Sequence, residues 1–215
     1  MIRVSPEGVP ETREPASELV VGGTYYFGSY EQNGNYSDGA ERIAWRVLAI
    51  EDGAALLVSD KILDAYAYHE LFNDTTWENC TLRVWLNNNF YNAAFSDSEK
   101  DQILIKSMPS DENPRQNLPK AGGATKDRVF ILSASEINEY FTANYERTAY
   151  GTEYAMRQGI YINNDLYASW WWARTPGKTN KWAVRIRSSG EVDYEGSYVN
   201  SKNGGIRPAI WLSTY

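Results

Sequence analysis

The residues best suited to bind a ligand lie near the C-terminus, in a display segment of residues 170–212. Much of this segment alternates polar or aromatic residues with small or aliphatic ones, which is the period of a strand with one solvated face. Aromatic side chains supply rigid contact area, while Asn, Ser, Thr and Arg supply adaptable hydrogen bonds. The pattern predicts recognition by twelve ligand-binding residues: Thr179, Asn180, Trp182, Arg185, Arg187, Ser189, Asp193, Tyr194, Ser197, Tyr198, Asn200 and Asn203.

Three of these residues, Trp182, Tyr194 and Tyr198, are the predicted aromatic anchors. Gly190 and Gly196 interrupt the alternation, where a meander of short strands would turn or bulge. One face of the meander is expected to display the candidate residues. The other face is expected to pack inward through small and aliphatic side chains: Ala183, Val184, Ile186, Val192 and Val199.

No pattern of catalytic or metal-binding residues accompanies the display segment. The chain has one histidine, His69, and one cysteine, Cys80, which disfavours a zinc cluster and excludes an internal disulfide. No nucleophile-elbow sequence exists to complete a Ser-His-Asp triad. The glycine pairs at 122–123 and 204–205 lack the context of a phosphate-binding loop. We therefore expect a protein that is not an enzyme and uses no cofactor or metal ion.

Composition disfavours several classes of partner. The net charge of −7 argues against a nucleic-acid-binding protein, although residues 178–207 hold six basic and three acidic residues. That local surplus is too small for a phosphate-tracking groove, but it influences what a recognition surface attracts. No apolar run approaches the length of a membrane span, and the N-terminus lacks a signal-peptide pattern. Direct membrane insertion is therefore not expected.

Tryptophan and arginine residues frame the display segment. Trp170, Trp171 and Trp172 are consecutive, so in an alternating strand two indoles point one way and one the other. We expect these three side chains to join the sheet to the helices. Arg174 and Arg207 lie among Trp, Pro and Gly, where a guanidinium commonly stacks on an indole and binds backbone carbonyls. A structural role is predicted for both arginines.

The elements that must position this segment are short and mixed. Residues 1–18 are rich in Pro and Glu and predict a flexible tail or linker. Residues 23–31, 43–50 and 54–59 predict a three-stranded antiparallel sheet, with a tight Glu-Asp-Gly turn between its last two strands. Residues 19–215 are expected to form a single α+β domain.

Helical signals are confined to the middle of the chain. Residues 80–95 place an apolar stripe at helical spacing, with Thr81 as the expected N-cap and Ala93 on the stripe. Ser96 and Ser133 each precede a glutamate by three residues, which predicts two capping boxes. Residues 108–125 predict a long loop, residues 129–132 a buried strand, and residues 152–158 one or two more helical turns.

Six segments spread through the chain carry a family resemblance. They are residues 28–31 (GSYE), 43–48 (IAWRVL), 76–87 (TWENCTLRVWLN), 130–133 (FILS), 170–177 (WWWARTPG) and 205–211 (GIRPAIW). Through them the chain resembles a family of bacterial domains of unassigned function that is frequent in gut Firmicutes. That family resembles the C-type-lectin fold, in the branch shared with formylglycine-generating enzyme.

The resemblance implies two possible activities, of which one departs from this sequence. Formylglycine-generating enzymes use a pair of cysteines in oxidative copper chemistry, whereas this chain has only Cys80, so that activity is not expected. Other members of the fold are variable proteins of diversity-generating retroelements, whose C-terminal segment is rewritten by adenine-specific mutagenesis. An apolar frame around a polar and aromatic strip is the layout that such a scaffold needs.

Diversification of this kind leaves a signature in the residue types. It acts mainly on AAC or AAT codons, from which Lys, Glu and Trp do not arise. Every candidate binding residue except Trp182 is compatible with that origin, as are Ser188 and Ser201. Retroelement diversification of the display segment is therefore a hypothesis that the sequence supports.

We predict a receptor-type binding module whose partner is a protein or a glycan, placed on a cell surface, in secreted form or on a phage particle. The alternative is a structural or accessory domain of a bacterial cell-surface or phage protein, in which the last quarter merely completes the fold. An enzyme with an unrecognised site has less support. Oligomeric state, calcium use and ligand identity do not follow from the sequence.

Overall fold

A computed structural model describes residues 18–117 and 119–215. The predicted tail of residues 1–18 therefore lies outside the described residues, except for Glu18. The described strands are, in chain order, β1 (Thr24–Tyr30), β2 (Glu41–Glu51), β3 (Ala54–Ser59), β4 (Asp64–Ala65), β5 (Lys106–Met108), β6 (Thr125–Asp127), β7 (Val129–Phe130), β8 (Trp171–Pro176), β9 (Trp182–Ile186), β10 (Val192–Tyr198), β11 (Gly205–Ile206) and β12 (Ala209–Ser213). The helices are α1 (Thr81–Trp85), α2 (Tyr91–Ala94), α3 (Asp97–Lys100), α4 (Ala134–Tyr140), α5 (Asn144–Arg147) and α6 (Glu153–Gln158).

Two five-stranded sheets and a two-stranded ribbon account for these strands. The first sheet has the order β1-β2-β3-β12-β7, the second has the order β10-β9-β8-β11-β4, and β5 pairs with β6. All pairings are antiparallel except that of β11 with β8. Buried apolar side chains from both sheets belong to one continuous cluster. The prediction of an α+β protein with small antiparallel sheets, few helices and long loops is confirmed at this level.

The predicted three-stranded antiparallel start is confirmed as β1, β2 and β3. Asp52 and Gly53 connect β2 to β3 with φ angles of 48° and 73°. Positive φ at both central residues is the requirement of a type I′ turn, whose twist matches that of the flanking strands. An Asp-Gly pair adopts this geometry more readily than most residue pairs, so the turn follows directly from the local sequence.

The predicted helix over residues 80–95 is wrong in two details. Its N-cap is Cys80, whose Sγ accepts a hydrogen bond from the Arg83 amide at 3.4 Å, and not Thr81. Between α1 and α2 the chain makes a π turn, Leu86–Phe90, which winds about one residue more per turn than an α-helix. The apolar stripe is therefore displaced by one residue, so that Ala94 is buried and Ala93 is exposed.

Local capping signals are confirmed at both predicted positions. Ser96 and Ser133 each accept a hydrogen bond from the amide three residues on, and the glutamate there bonds back to the cap amide. The predicted strand at 129–132 is shorter than expected and ends at Phe130. Ile131 and Leu132 are buried, but their carbonyl oxygens accept hydrogen bonds from Arg174, at its side chain and its backbone amide respectively.

The structural role predicted for Arg174 is confirmed. Its side chain is almost fully buried and forms a two-pronged ion pair with Glu136 at the start of α4. The guanidinium lies 5.9 Å from the centroid of the Phe130 ring. One arginine thereby ties β8 to both the end of β7 and the N-terminus of α4.

The structural role predicted for Arg207 is also confirmed, because this residue joins the two sheets. It follows β11 in the second sheet, and its Nε donates to the Ser59 carbonyl oxygen of the first sheet at 3.0 Å. The guanidinium stacks over the Trp171 ring at 4.8 Å and lies 5.8 Å from the Phe141 ring. The consecutive indoles Trp170, Trp171 and Trp172 are all buried.

A buried carboxyl group on β4 makes stability depend on pH. The Tyr30 hydroxyl donates to Asp64 Oδ2 at 2.6 Å, and the Ala65 amide donates to Oδ1 at 2.7 Å. Burial outweighs these bonds and raises the pKa of Asp64 above its ordinary value. The folded state therefore holds this proton more tightly than the unfolded state does.

We expect the substitution Asp64→Asn to flatten part of the pH dependence of stability. In the native protein the free energy of unfolding falls as pH rises from the ordinary aspartate pKa through the raised one, because the folded state binds the proton more tightly. The variant, which cannot ionise at this position, should gain stability relative to the native protein as the pH rises above the ordinary aspartate pKa of about 4, measured by urea unfolding. The exposed control Asp165→Asn should leave the dependence unchanged, and a parallel shift in both variants would contradict the assignment to Asp64.

Candidate functional site

An open cleft of about 510 Å³ lies over one side of the second sheet. Four of its lining residues belong to the candidate binding residues identified in the sequence. The remaining four come from the loop after α6, the position just before β8 and two turns. The lining residues are Tyr161, Trp170, Arg185, Arg187, Ser188, Ser197, Ser201 and Asn203.

A β-bulge in β10 shapes the floor of the cleft. The pairing of β9 with β10 joins Arg185 to Asp193 and Ala183 to Ser197, and the register shifts between these two pairs. Gly196 lies within the bulge with a φ of 82°, and a Cβ there would overlap the Ala183 carbonyl oxygen. Only glycine fits both requirements, so the interruption noted in the sequence is a bulge.

A buried carboxylate holds the two arginines of the cleft in place. Asp193 Oδ2 accepts hydrogen bonds from Arg185 Nε at 3.0 Å and forms an ion pair with Arg187 Nη2 at 3.2 Å. Its Oδ1 accepts from the amide of Gly196 at 3.2 Å, which fixes the carboxylate within the bulge. Asp193 was predicted on the displayed face, but it is 7 % exposed and is not among the residues that line the cleft. Because Asp193 pairs directly with Arg185 across the strands, the two side chains share one face of the sheet, and the guanidiniums of Arg185 and Arg187 cover the carboxylate.

The electrostatic balance in the cleft is positive. Arg185 and Arg187 supply two charges, and the buried Asp193 compensates one of them. The nearest further carboxylate is that of Glu191, 3.9 Å from Arg187 Nε, where both side chains are more than half exposed and their interaction is screened. The Arg185 guanidinium also lies 5.4 Å from the Trp170 ring, a distance typical of a cation–π contact.

Hydroxyl and amide groups line the remainder of the cleft. The Oγ atoms of Ser197 and Ser201 are 3.2 Å apart, within hydrogen-bonding distance. The Asn203 carbonyl oxygen accepts a hydrogen bond from the Tyr161 amide at 3.1 Å, which holds the loop after α6 against the turn before β11. Tyr161 is 44 % exposed and gives the rim an aromatic surface.

Sequence reasoning missed two aromatic residues of the cleft. Tyr161 lies outside the display segment, and Trp170 was assigned entirely to the framework. Trp170 is indeed buried, but the Arg185 contact brings its ring to the floor of the cleft. No local pattern marks Tyr161, because its place depends on the contact with Asn203 that forms only in the folded chain.

Two of the predicted anchors form an aromatic patch beside β9 and β10. The ring centroids of Trp182 and Tyr198 are 4.0 Å apart, and Tyr198 makes an edge contact with Phe72 at 5.1 Å. Lys178 Nζ lies 3.9 Å from the Trp182 ring centroid, and Lys181 Nζ lies 5.4 Å from that of Phe72. Neither predicted anchor lines the cleft.

The third predicted anchor, Tyr194, makes a different set of contacts. Its hydroxyl accepts a hydrogen bond from Asn138 Nδ2 at 2.7 Å, and the Arg115 guanidinium lies 4.4 Å from its ring centroid. Its carbonyl oxygen accepts from the buried Asn113 at 2.8 Å. The structure therefore joins Tyr194 to α4 and the long loop instead of to the other two anchors.

The remaining candidates occupy turns. Asn180 is tied to the backbone of Lys120, donating to its oxygen at 2.7 Å and accepting from its amide at 3.1 Å. Thr179 Oγ1 accepts from the Lys181 amide at 3.3 Å within the turn before β9. Ser189 and Asn200 are exposed in the turns that flank β10, outside the lining of the cleft.

The single cysteine and the single histidine serve the packing of α1. Burial raises the pKa of the Cys80 thiol to about 12, so the thiolate is scarce at neutral pH. His69 Nδ1 accepts a hydrogen bond from the Thr81 amide at 3.3 Å.

Within residues 18–117 and 119–215 no three His, Cys, Asp or Glu side chains are grouped as a metal site. Each helix of the same residues is too short or too polar to cross a lipid bilayer.

The bulge yields a test with a matched control. Gly196→Ala should lower the free energy of unfolding by about 3 kcal/mol, because the new Cβ adds a collision with Ala183 to the strain of positive φ. Gly39→Ala, at a φ of 88° with open space around it, should cost about 1 kcal/mol through strain alone. Urea unfolding of both variants measures the difference, and equal losses would show that the bulge accommodates a side chain.

Comparison with known proteins gives a family but no function. No curated protein and no solved structure matches the chain. The profile of one family matches residues 52–214, which cover β3 to β12 and every residue of the cleft. That family is described as a domain of unknown function. The match spans well over half of the chain, and the protein therefore belongs to the DUF6273 family.

Proposed function

We propose that this protein is a receptor-type binding module whose ligand occupies the cleft over the second sheet. One observation carries the proposal: Arg185, Arg187, Ser197 and Asn203, predicted as binding residues from the sequence alone, line a single cleft. They come from β9, β10 and two turns, so the fold brings together groups that are up to 18 positions apart in sequence. Convergence of polar groups with aromatic surface in one concavity is typical of ligand sites.

The chemistry of the lining supports binding without catalysis. Guanidinium, hydroxyl, amide and aromatic groups orient a ligand, whereas acid–base catalysis requires a group that can exchange a proton with it. Asp193 is already bonded to Arg185, Arg187 and Gly196. Cys80 is buried away from the lining and is mostly protonated at neutral pH. We therefore propose a module that is not an enzyme and needs no cofactor.

The C-type-lectin-like fold remains part of this proposal. It is supported by the resemblance of the six sequence segments and by the mixed architecture of small antiparallel sheets, short helices and long loops. On such a scaffold we expect a protein or glycan ligand, and no nucleic acid. The exposed aromatic patch of Phe72, Trp182 and Tyr198 offers additional contact area for a ligand that extends beyond the cleft.

A structural or accessory domain is the second candidate, and specific contacts favour it. Asn180 and Tyr194, both predicted to bind ligand, instead join the display segment to the long loop. Under this alternative the polar residues of the last quarter serve the fold alone, and the cleft holds only water. A blocking substitution in the cleft discriminates between the two candidates.

The test places the same bulky side chain inside and outside the cleft. Asn203→Trp should fill the mouth of the cleft and weaken binding at least about tenfold, while Asn200→Trp, in the same connection between β10 and β11 but outside the lining, should not. The native protein is first screened on glycan and peptide arrays. The dissociation constant of the strongest hit is then measured for all three proteins, with thermal unfolding as a check on folding. Equal affinities in both variants, or no hit on either array, would favour the structural alternative.

Retroelement diversification is a separate proposal, tested in the DNA that surrounds the gene. If it occurs, a near-copy of the sequence encoding residues 170–212 should lie close to a reverse-transcriptase gene. The two copies should differ only where the near-copy has adenine. Finding neither element would leave a binding module of fixed specificity.

A further inference from the structure

We propose that the cleft recognises an acidic sugar, that is, a pyranose ring that carries one carboxylate. This inference rests on the proposed binding function and adds to it the chemical class of the ligand. Three features lead to it: a surplus positive charge with free hydrogen-bond donors, arginines already held in position, and hydroxyl groups beside an exposed aromatic ring.

The surplus charge is carried by guanidinium groups that retain unused donors. Arg185 bonds Asp193 through Nε, and its two terminal nitrogens donate to no atom of the described residues. Arg187 reaches Asp193 through Nη2 and is 51 % exposed in its side chain. A planar guanidinium with free N–H groups matches a carboxylate in geometry as well as in charge.

The size of the surplus positive charge in the cleft favours a ligand that carries a single negative charge. Two guanidiniums face one buried carboxylate, while the ion pair of Arg187 with Glu191 is exposed and screened, so one ligand carboxylate brings the cleft close to neutrality. A phosphate monoester carries close to two charges at neutral pH and would exceed what the cleft compensates. Asp193, being buried, would also repel the second charge more strongly than a solvated carboxylate would.

The two arginines are positioned before any ligand arrives. Asp193 is fixed by the bulge through Gly196, and it holds both guanidiniums within hydrogen-bonding or ion-pair distance. Trp170 supports the Arg185 guanidinium from beneath. Because little side-chain freedom remains to be lost, more of the interaction energy appears as affinity.

The other lining groups suit the remainder of a sugar. Ser197, Ser201 and Asn203 present hydroxyl and amide groups that both donate and accept, as ring hydroxyls require. The exposed ring of Tyr161 offers a flat apolar surface to the C–H face of a pyranose. A volume of about 510 Å³ lies within the range of about 300–1,000 Å³ typical of small-molecule sites.

The experiment compares ligands that differ at the carboxylate. Isothermal titration calorimetry of the full chain would use D-glucuronate, D-galacturonate and N-acetylneuraminate, with D-glucose, methyl D-glucuronate and D-glucose 6-phosphate as comparisons. At least one of the three acids should bind, at least about tenfold more tightly than glucose, the methyl ester and the phosphate. Binding should weaken as salt rises, since a charge pair contributes to it.

A charge-matched pair of variants then locates the interaction. Arg187→Gln should weaken binding of the acid at least about tenfold, while Arg128→Gln, an exposed arginine over Tyr91 outside the cleft, should leave it unchanged. Arg187 is chosen because its exposure makes the substitution tolerable for the fold, which thermal unfolding would verify. Arg187→Lys should retain part of the affinity, because it keeps the charge but loses the planar geometry.

The outcomes separate this inference from the binding function on which it rests. If none of the three acids binds, or if glucose 6-phosphate binds more tightly than all of them, the acidic-sugar assignment is overturned. An array ligand that is neutral, insensitive to Arg187→Gln and sensitive to Asn203→Trp would overturn the assignment while leaving the cleft as a binding site. If Arg128→Gln weakens acid binding as much as Arg187→Gln does, the charge effect is non-specific and the proposed site is wrong.

Discussion

The contact on which the rest of the structure depends is the burial of Arg207 between the two sheets. The residue follows β11 of the second sheet and donates to the Ser59 carbonyl oxygen in the first, while its guanidinium lies over Trp171. Burial lowers its pKa to about 10, so the group is still charged at neutral pH. No carboxylate lies within ion-pair distance of it among the described residues. The charge of Asp60 acts at longer range, and with the aromatic faces and the carbonyl oxygen it offsets part of the cost of burying this charge.

The contact between Arg207 and Trp171 connects the core to the cleft through one strand, β8. Trp171 is the first residue of β8, which pairs with both β9 and β11. The stack on Arg207 therefore fixes β8 against the first sheet. Arg185 lies on β9, which is the strand beside β8. Trp170, one position earlier, lies under the Arg185 guanidinium. Arg185 and Ser197, which lie on the paired strands β9 and β10, are therefore held more rigidly than the lining residues that lie in loops and turns.

Local rules predicted the parts of the fold that depend on neighbouring residues. The Asp-Gly turn and the two serine capping boxes involve residues at most three positions apart, and each formed as expected. In the display segment, alternation identified most of the inward-facing residues, since four of the five are fully buried and Val192 is partly buried. The predictions were wrong or incomplete where the local residue types do not reveal a change in backbone geometry or a side-chain contact. The π turn displaced the apolar stripe to Ala94, and the arginines beside Asp193 cover its carboxylate, which alternation alone does not predict. Contacts such as those of Tyr161 with Asn203 join distant positions, and periodicity carries no information about them.

The sharing of one carboxylate by two arginines makes the cleft unequally tolerant of evolutionary change. Loss of Arg185 or Arg187 leaves Asp193 partly paired in a buried bulge, and loss of Asp193 leaves two like charges side by side, so these three positions are expected to change together. Ser197, Ser201 and Asn203 are neutral and share no buried charge, so a change at one of them leaves no unpaired ion behind. Substitutions at the neutral positions can therefore change which neutral groups the cleft contacts, while the positive charge on which the proposed binding of an anion depends is retained unless several positions are replaced at once.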